Sequence, residues 1–246
     1  MLADRLRMGR KAAIQYVGQA MNGSNDGNNY VVGLTSLTGG IDTQARAGDL
    51  VVVATGLTMQ SNTSWAPSIT TSGYTTTAAQ YQASSGGSYS TNALFGYKEM
   101  GGTPDSSVGL AGYGTASNVS PYPLNNAGVF VFRNAQVGTT GSESALASGT
   151  GEAFAPPAVT PQVAGSWVVV TGVANGSNLG NPANMTYYNN AWSIFNNASA
   201  SPYVLSLGRF AYYSGWTSGS FTPDVWGYTS DSTRTWVART LVLRPK

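Results

Sequence analysis

The sequence predicts an all-β protein: a β-sandwich of the jelly-roll-like kind, preceded by a short N-terminal helical arm. About ten short runs of β-branched or aromatic residues are bounded by Gly, Pro, Asn or Ser, the usual pattern of β-strands. Helical periodicity is confined to the beginning of the chain. The length of 246 residues suits one sandwich domain.

The first 24 residues form the predicted arm. A helix is expected over residues 2–21, because apolar side chains recur there at roughly helical spacing. They are Leu2, Leu6, Ala13, Val17 and Met21. The basic residues before Ala12 resemble the start of a signal peptide. The apolar run after them ends at Ile14, far short of the roughly 7 to 15 residues such a peptide needs, so secretion by this route is not expected.

The arm is also the predicted docking element. It holds four of the 12 basic residues of the chain, whereas the remaining 225 residues are slightly acidic. An isolated helix of this length is marginal in water, so the arm is expected to lie on a surface of its own chain or of a neighbour. The residues predicted to dock onto a partner are Leu2, Arg5, Leu6, Arg10 and Val17. The alternative is a solvated helix end.

Residues 25–246 form the predicted single sandwich domain. The turn-rich stretch Asn22–Asn29 leads into it. Strands are predicted over Tyr30–Leu34, Leu50–Thr55, Ala79–Ala83, Ala93–Tyr97, Ser107–Tyr113, Gly128–Arg133, Ser166–Val173, Met185–Tyr188, Tyr203–Tyr213 and Thr235–Leu243. The Pro-rich stretch Ala155–Pro161 is interpreted as a connection inside this domain, because the composition does not change across it.

One internal echo stands out. Ala47–Val53 and Ala164–Val170 each place a glycine turn before a Val-rich strand, and they are 117 residues apart, about half the chain. A chance similarity of two strands is one explanation. A duplication is the other, and it would imply two Greek-key halves, as in a jelly roll.

The composition excludes several kinds of chemistry. With no Cys and no His, the chain has neither the ligands of a Cys/His zinc site nor the base of a Ser-His-Asp triad. A net charge of +2 gives no field that would attract nucleic acid or an anionic membrane, so neither is an expected partner. Ser, Thr, Asn and Gln supply 80 residues, which indicates an uncharged polar surface.

Paired carboxylates are the remaining route to catalysis, since a glycosidase needs only Asp and Glu side chains. The candidates are Asp42, Asp49, Glu99, Asp105, Glu143, Glu152, Asp224 and Asp231. None lies in a recognisable motif, and Asp49 and Asp105 are typical of turn acids that bond to local backbone amides. Asn25–Asn29 offers oxygen atoms to calcium but lacks the EF-hand spacing, so a plain turn is predicted. No metal or cofactor is expected.

Aromatic residues crowd the last 60 positions of the chain. Most of them are expected to fill the core, with a subunit interface or glycan binding as the alternatives. The segment Tyr213–Phe221 is the predicted exposed platform, because Gly and Ser flank its rings. Its aromatic residues are Tyr213, Trp216 and Phe221.

A series of motifs resembles the β-sandwich proteins of tailed-bacteriophage virions and prophages. Tyr74 stands where Trp is more usual in the second motif. The motifs, in order, are Ala47–Val53, Ser72–Thr75, Phe95–Lys98 followed by Gly101–Val108, Val129–Arg133 and Ala164–Val170. The resemblance covers roughly residues 45–173 and the final strand. It implies a non-enzymatic virion component, whether a head decoration, a neck piece or a tail fibre.

The expected function is therefore structural: a bacteriophage virion protein that assembles with itself and with a capsid, neck or tail partner. A trimer is expected by analogy with fibres and decorations. Two alternatives stay open. One is a receptor-binding adhesin that stacks host glycans on Trp216 and its neighbours, and the other is a glycoside hydrolase.

Overall fold

The chain folds almost entirely as antiparallel β-strands. The computed structural model describes residues 12–24, 29–59, 64–84, 86, 89–111, 124–151, 153–175, 184–192, 206–227 and 234–246. The strands are β1 Gln15–Ser24, β2 Tyr30–Gly33, β3 Leu50–Met59, β4 Thr75–Thr76, β5 Gln80–Ala83, β6 Ser90–Glu99, β7 Ser107–Leu110, β8 Leu124–Arg133, β9 Ala135–Val137, β10 Ser144–Thr150, β11 Ala153–Phe154, β12 Trp167–Asn175, β13 Tyr187–Trp192, β14 Ser206–Tyr213, β15 Trp226–Gly227 and β16 Thr235–Pro245. A 3₁₀ turn, Gly141–Glu143, precedes β10.

Two halves of the chain share one pairing scheme. In the first half, β1 pairs with β8, β2 with β7 and β3 with β6. In the second half, β10 pairs with β16, β11 with β15 and β12 with β14. In both halves the third of these strands also pairs with the last, β3 with β8 and β12 with β16. This nested pairing is jelly-roll-like, so the sandwich contains two rolls.

The strands stack in layers. The large sheets β1-β8-β3-β6-β4 and β10-β16-β12-β14-β13 face each other, with β5 beside β6 and β9 beside β16. Phe130 and Phe210 meet between them, with ring centroids 3.8 Å apart and planes within 4°. The pair β2–β7 covers the outer face of the first large sheet, and β11–β15 covers that of the second. Because β3 and β12 are buried on both faces, their sequences are continuous Val runs without alternation.

The strand register turns the sequence echo into a structural repeat. Val52 lies opposite Tyr97 in the first half, and the equivalent Val169 lies opposite Tyr212 in the second. This register aligns Phe95-Gly96-Tyr97 with Phe210-Ala211-Tyr212. The same comparison places Arg133, at the end of β8, in the position of Arg244 near the end of β16.

The predicted N-terminal helix is wrong over residues 15–21, which belong to β1. Tyr16 and Val17 point to opposite faces of the sheet and are both buried, as strand geometry requires. Gly18 then adopts φ of 152° at a bulge, a conformation closed to most side chains in a helix. Pairing with β8 gives this segment the backbone hydrogen bonds that an isolated helix would have to find alone. The boundary predicted at residue 24 therefore separated an integral strand from its sheet.

Candidate functional site

The acidic residues of the first half are engaged in ion pairs. The Arg133 guanidinium donates to both carboxylate oxygens of Asp49 at 3.0 Å and to Asp42 at 3.3 Å. Arg46 lies 2.7 Å from Asp42. The backbone N–H of Arg46 also donates to Asp49, as predicted for a turn acid. Asp105 was expected to bond to local backbone amides, but it accepts instead from Lys98 at 2.7 Å.

The equivalent arginine of the second half has a different acidic partner. Ser166 stands where the first half has Asp49, and Arg244 binds Glu143 of the 3₁₀ turn through two hydrogen bonds. Burial raises the pKa of Glu143, but hydrogen bonds from Arg244, from Thr140 and from the backbone of Gln162 outweigh it and lower the pKa to about 2.

These environments do not suit a glycosidase acid. A general acid needs a raised pKa, whereas the pKa of Glu143 is lowered. The pKa of Asp42 is lowered as well, first by the backbone N–H of Thr43 and then by Arg133 and Arg46, against a smaller effect of burial. Of the other candidates, Glu99 pairs with Lys246 at 2.8 Å and Asp224 accepts from the backbone of Asn184. Glu152 and Asp231 lie outside the described residues.

The predicted aromatic platform is partly a packing element. Tyr213 and Phe221 stack with ring centroids 4.5 Å apart, and both pack against the outer core of the second half. They line an open cavity of about 380 Å³ together with Asn184, Met185 and Thr186. The indole N–H of Trp216 donates to the carbonyl of Gly219 within its own loop.

The predicted docking residues are divided by the structure. Val17 is fully buried between the first large sheet and its outer cover, so it contacts the core of its own chain and not a partner. The other four, Leu2, Arg5, Leu6 and Arg10, lie outside the described residues. The same holds for residues 25–28, which make up most of the turn considered for calcium.

The two edge strands that begin the halves differ in their surroundings. The outer edge of β1 is covered by residues 38–42, here called the cap loop. The backbone N–H groups of Gln19 and Thr38 donate to each other's carbonyls at 2.9 Å. Ile41 donates to the Tyr16 carbonyl and Asp42 to the Val17 carbonyl, at 3.2 and 3.1 Å. These bonds use the polar groups that a sheet edge otherwise exposes.

The equivalent strand β10 has no such cover among the described residues. Its backbone pairs there with β16 alone, along all seven residues. The segment that corresponds to the cap loop reaches only the preceding turn, where Thr160 donates to the carbonyl of Ser142. The β10 sequence Ser-Ala-Leu-Ala-Ser-Gly-Thr contains no charge and no proline, the two features with which natural edge strands avoid pairing.

Exposed apolar side chains lie beside this open edge. Leu146 on β10 is 39% exposed, and Tyr81 on the neighbouring β5 is 37% exposed. The two strands are joined by the hydroxyl of Ser148, which donates to the amide oxygen of Gln82 at 2.9 Å. The open edge of β10, with these two side chains, is the candidate functional surface. The sequence gives little warning of it, because Ala, Ser and Gly carry a weak strand signal.

A second feature lies at the opposite lateral side of the sandwich. An open cavity of about 430 Å³ is lined by both halves of the chain. The first half contributes Gln15, Tyr16 and Gly39–Ile41 of the cap loop, and the second contributes Trp167 and Tyr212. Here it is called the aromatic cleft. Sequence inspection missed it because its residues come from segments more than 120 positions apart.

Metal, membrane and family signals are lacking where they were sought. Within the described ranges, no three acidic side chains converge as metal ligands would, and no helix has the length and apolar character of a membrane span. The chain matches no known family model, no curated protein and no solved structure.

Proposed function

We propose that the protein is a non-enzymatic structural component of a tailed-bacteriophage virion, which assembles with itself and with a capsid or tail partner. The motif order described above supports the virion assignment by resemblance. The pairing of acids with arginine and lysine supports a structural role, because charges fixed in ion pairs hold strand ends together and are not free for acid–base chemistry.

The observation that carries self-assembly is the open edge of β10. An uncharged seven-residue edge exposes a row of N–H and C=O groups that a second copy can pair with. Antiparallel pairing of two identical edges gives a two-fold contact in which each copy uses the same residues. Leu146 and Tyr81 add apolar area to that contact. The proposed trimer of the virion would need a further contact besides this one.

The experiment compares the oligomeric state of the protein with that of Leu146→Lys by sedimentation velocity across a concentration series. A lysine on each paired edge brings like charges together in the dimer, and we expect at least a tenfold weaker association. The matched control is Val225→Lys, which makes a comparable change of charge at a side chain that is 51% exposed outside the strands. Equal association of all three proteins would refute the proposal.

The capsid or tail partner is tested through the N-terminus. A protein that lacks residues 1–11 keeps every described strand, so it is expected to fold and to self-associate as before. We expect it to fail to join particles when it is supplied to virions assembled without the full chain. Incorporation at the normal level would show that Leu2, Arg5, Leu6 and Arg10 do not attach the protein.

A further inference from the structure

Three aromatic rings form a continuous stack across the second large sheet. Tyr187 on β13 lies directly opposite Tyr212 on β14, with centroids 5.2 Å apart and planes within 14°. Tyr212 in turn stacks on Trp167 of β12, at 4.8 Å and 17°. Trp167 is the terminal ring of the stack and remains partly exposed at the aromatic cleft.

Both sides of the terminal rings are held in place by the core. Phe132 of the first half meets the edge of Trp167 at 6.4 Å and 88°. Tyr16 packs against Tyr187 and Tyr212, with centroids 5.4 and 5.3 Å away, and its hydroxyl donates to the amide oxygen of Gln19. The rings therefore present a pre-formed surface, which lowers the entropy cost of binding a ligand.

The cap loop forms the facing wall of the cleft, and its glycines are required there. Gly39 has φ of 78°, the left-handed conformation that favours glycine. A Cβ atom on Gly40 would collide with the carbonyl oxygen of Val17. The loop can thus approach β1 closely only without side chains at these positions. It then places Ile41, 59% exposed, at the mouth of the cleft.

The chemistry of the lining indicates the class of ligand. No lining residue is charged: the polar groups are the exposed amide of Gln15, tyrosine hydroxyls and backbone. A charged ligand would find no counter-ion and would lose hydration without compensation. The cleft volume of about 430 Å³ lies within the range of roughly 300–1,000 Å³ typical of small-molecule sites.

We propose that the aromatic cleft binds an uncharged oligosaccharide, with one pyranose ring against Trp167 and a hydroxyl group of the sugar bonded to the Gln15 amide. The C–H face of a pyranose is apolar and stacks on an aromatic ring, while an amide both donates to and accepts from sugar hydroxyls. This site differs from the Trp216 platform expected from the sequence. It also stands independently of the proposed virion role.

The test exposes the full-length protein to an array of neutral and sialylated oligosaccharides and measures each hit by calorimetry. We expect binding to neutral glycans, weakened at least tenfold by Trp167→Ala. The matched control is Trp216→Ala, which removes the same side chain from the loop and should bind as the unchanged protein does. Because Trp167→Ala also removes core contacts, Gln15→Ala serves as a second variant at an exposed side chain, and at least a threefold loss is expected.

Several results would overturn the proposal. They are no neutral glycan bound, binding of sialylated glycans alone, equal loss in Trp216→Ala, or a titration of polyproline peptide that Trp167→Ala abolishes while no glycan binds. Dimer formation through the cleft would also overturn it, and would appear as loss of self-association in Gln15→Ala. A neutral hit that depends on both Trp167 and Gln15 supports it.

Discussion

The two halves of this chain pair their strands in the same order, yet they treat their first strand differently. In the first half the cap loop bonds along the outer edge of β1, from Tyr16 to Gln19. In the second half the described residues leave β10 paired on one side only. The comparison separates what the fold requires, which is shared, from what one loop adds. A loop of five residues decides whether an edge strand is closed or is available to another chain.

The same loop has a second consequence. By crossing the edge of β1 it builds the wall of the aromatic cleft, opposite Trp167. One lateral side of the sandwich is thus closed against strand pairing and shaped as a concavity. The other side is flat, uncharged and open at β10. Under our proposals, the first side binds a small neutral ligand and the second binds a copy of the chain.

The largest effect is expected where the halves share their core. Phe210→Ala removes a fully buried ring stacked on Phe130, and should lower the free energy of unfolding by about 4 kcal/mol. Phe95 occupies the equivalent position of the first half, so Phe95→Ala should cost about 3 kcal/mol or more. Chemical denaturation measures both. A loss below about 1 kcal/mol in either variant would mean that the sheets do not depend on each other.

Next in size is the contact that closes the first edge. Gly40→Ala places a methyl group against the carbonyl of Val17, and should cost about 3 kcal/mol by lifting the cap loop. The uncovered β1 should then increase self-association, making the first half resemble the second. Gly102→Ala is the control, since nothing lies within 4 Å of its added Cβ. If Gly40→Ala leaves both stability and association unchanged, the cap loop does not close this edge.

A smaller effect is expected from the ion pairs at the equivalent arginines. Glu143→Gln should cost about 2 kcal/mol, because Arg244 loses its carboxylate partner. Asp42→Asn should cost less, because Arg133 keeps its two bonds to Asp49. Thermal denaturation of both variants provides the measurement. The order would be reversed if Arg133 depended mainly on Asp42.

Acid should distinguish the same two sites. The pKa of Glu143 in the folded protein is about 2, below its ordinary value of 4.5, so its stabilising contribution is complete above pH 4.5 and is lost as the pH falls towards 2. The melting temperature of the unchanged protein should fall in this interval, and Glu143→Gln should flatten the profile. An identical fall in the variant would assign the acid sensitivity to other carboxylates.

The smallest effect on folding is expected at the open edge. Leu146→Lys should change the free energy of unfolding by no more than about 0.5 kcal/mol, because the side chain is 39% exposed. Its predicted effect on association is therefore not a consequence of unfolding. A loss of several kcal/mol would instead identify Leu146 as a core residue.

The sequence predicts the repeated core better than it predicts the edges. The Val runs of β3 and β12 announce strands buried on both faces, and the strands around Phe95 and Phe210 are predicted from their aromatic and β-branched content. The N-terminal error has a local cause: five apolar residues at helical spacing outweighed Gly18 and the β-prone Tyr16-Val17 pair. Only the distant partner β8 makes that segment a strand.

The candidate surfaces were beyond the reach of local patterns. Whether β10 is open depends on where residues 155–166 pass, and its own sequence contains no β-branched residue before Thr150. The aromatic cleft joins Tyr16 to Trp167 and Tyr212 across the two halves. Such a site appears only when the pairing of both sheets is known, since periodicity describes single elements and not their contacts.

A cysteine scan along β10 tests the contrast between the closed and the open edge most directly. The chain contains no cysteine, so a single substitution at each of residues 144–150 in turn reports one position without background. Residues opposite each other across an antiparallel pair lie about 4.5–5.5 Å apart, within disulfide range. We predict a crosslinked dimer that is strongest at one central position of β10 and declines on both sides, with none from Gln19→Cys under the cap loop. Crosslinking along β10 no stronger than that of Val225→Cys would contradict the account.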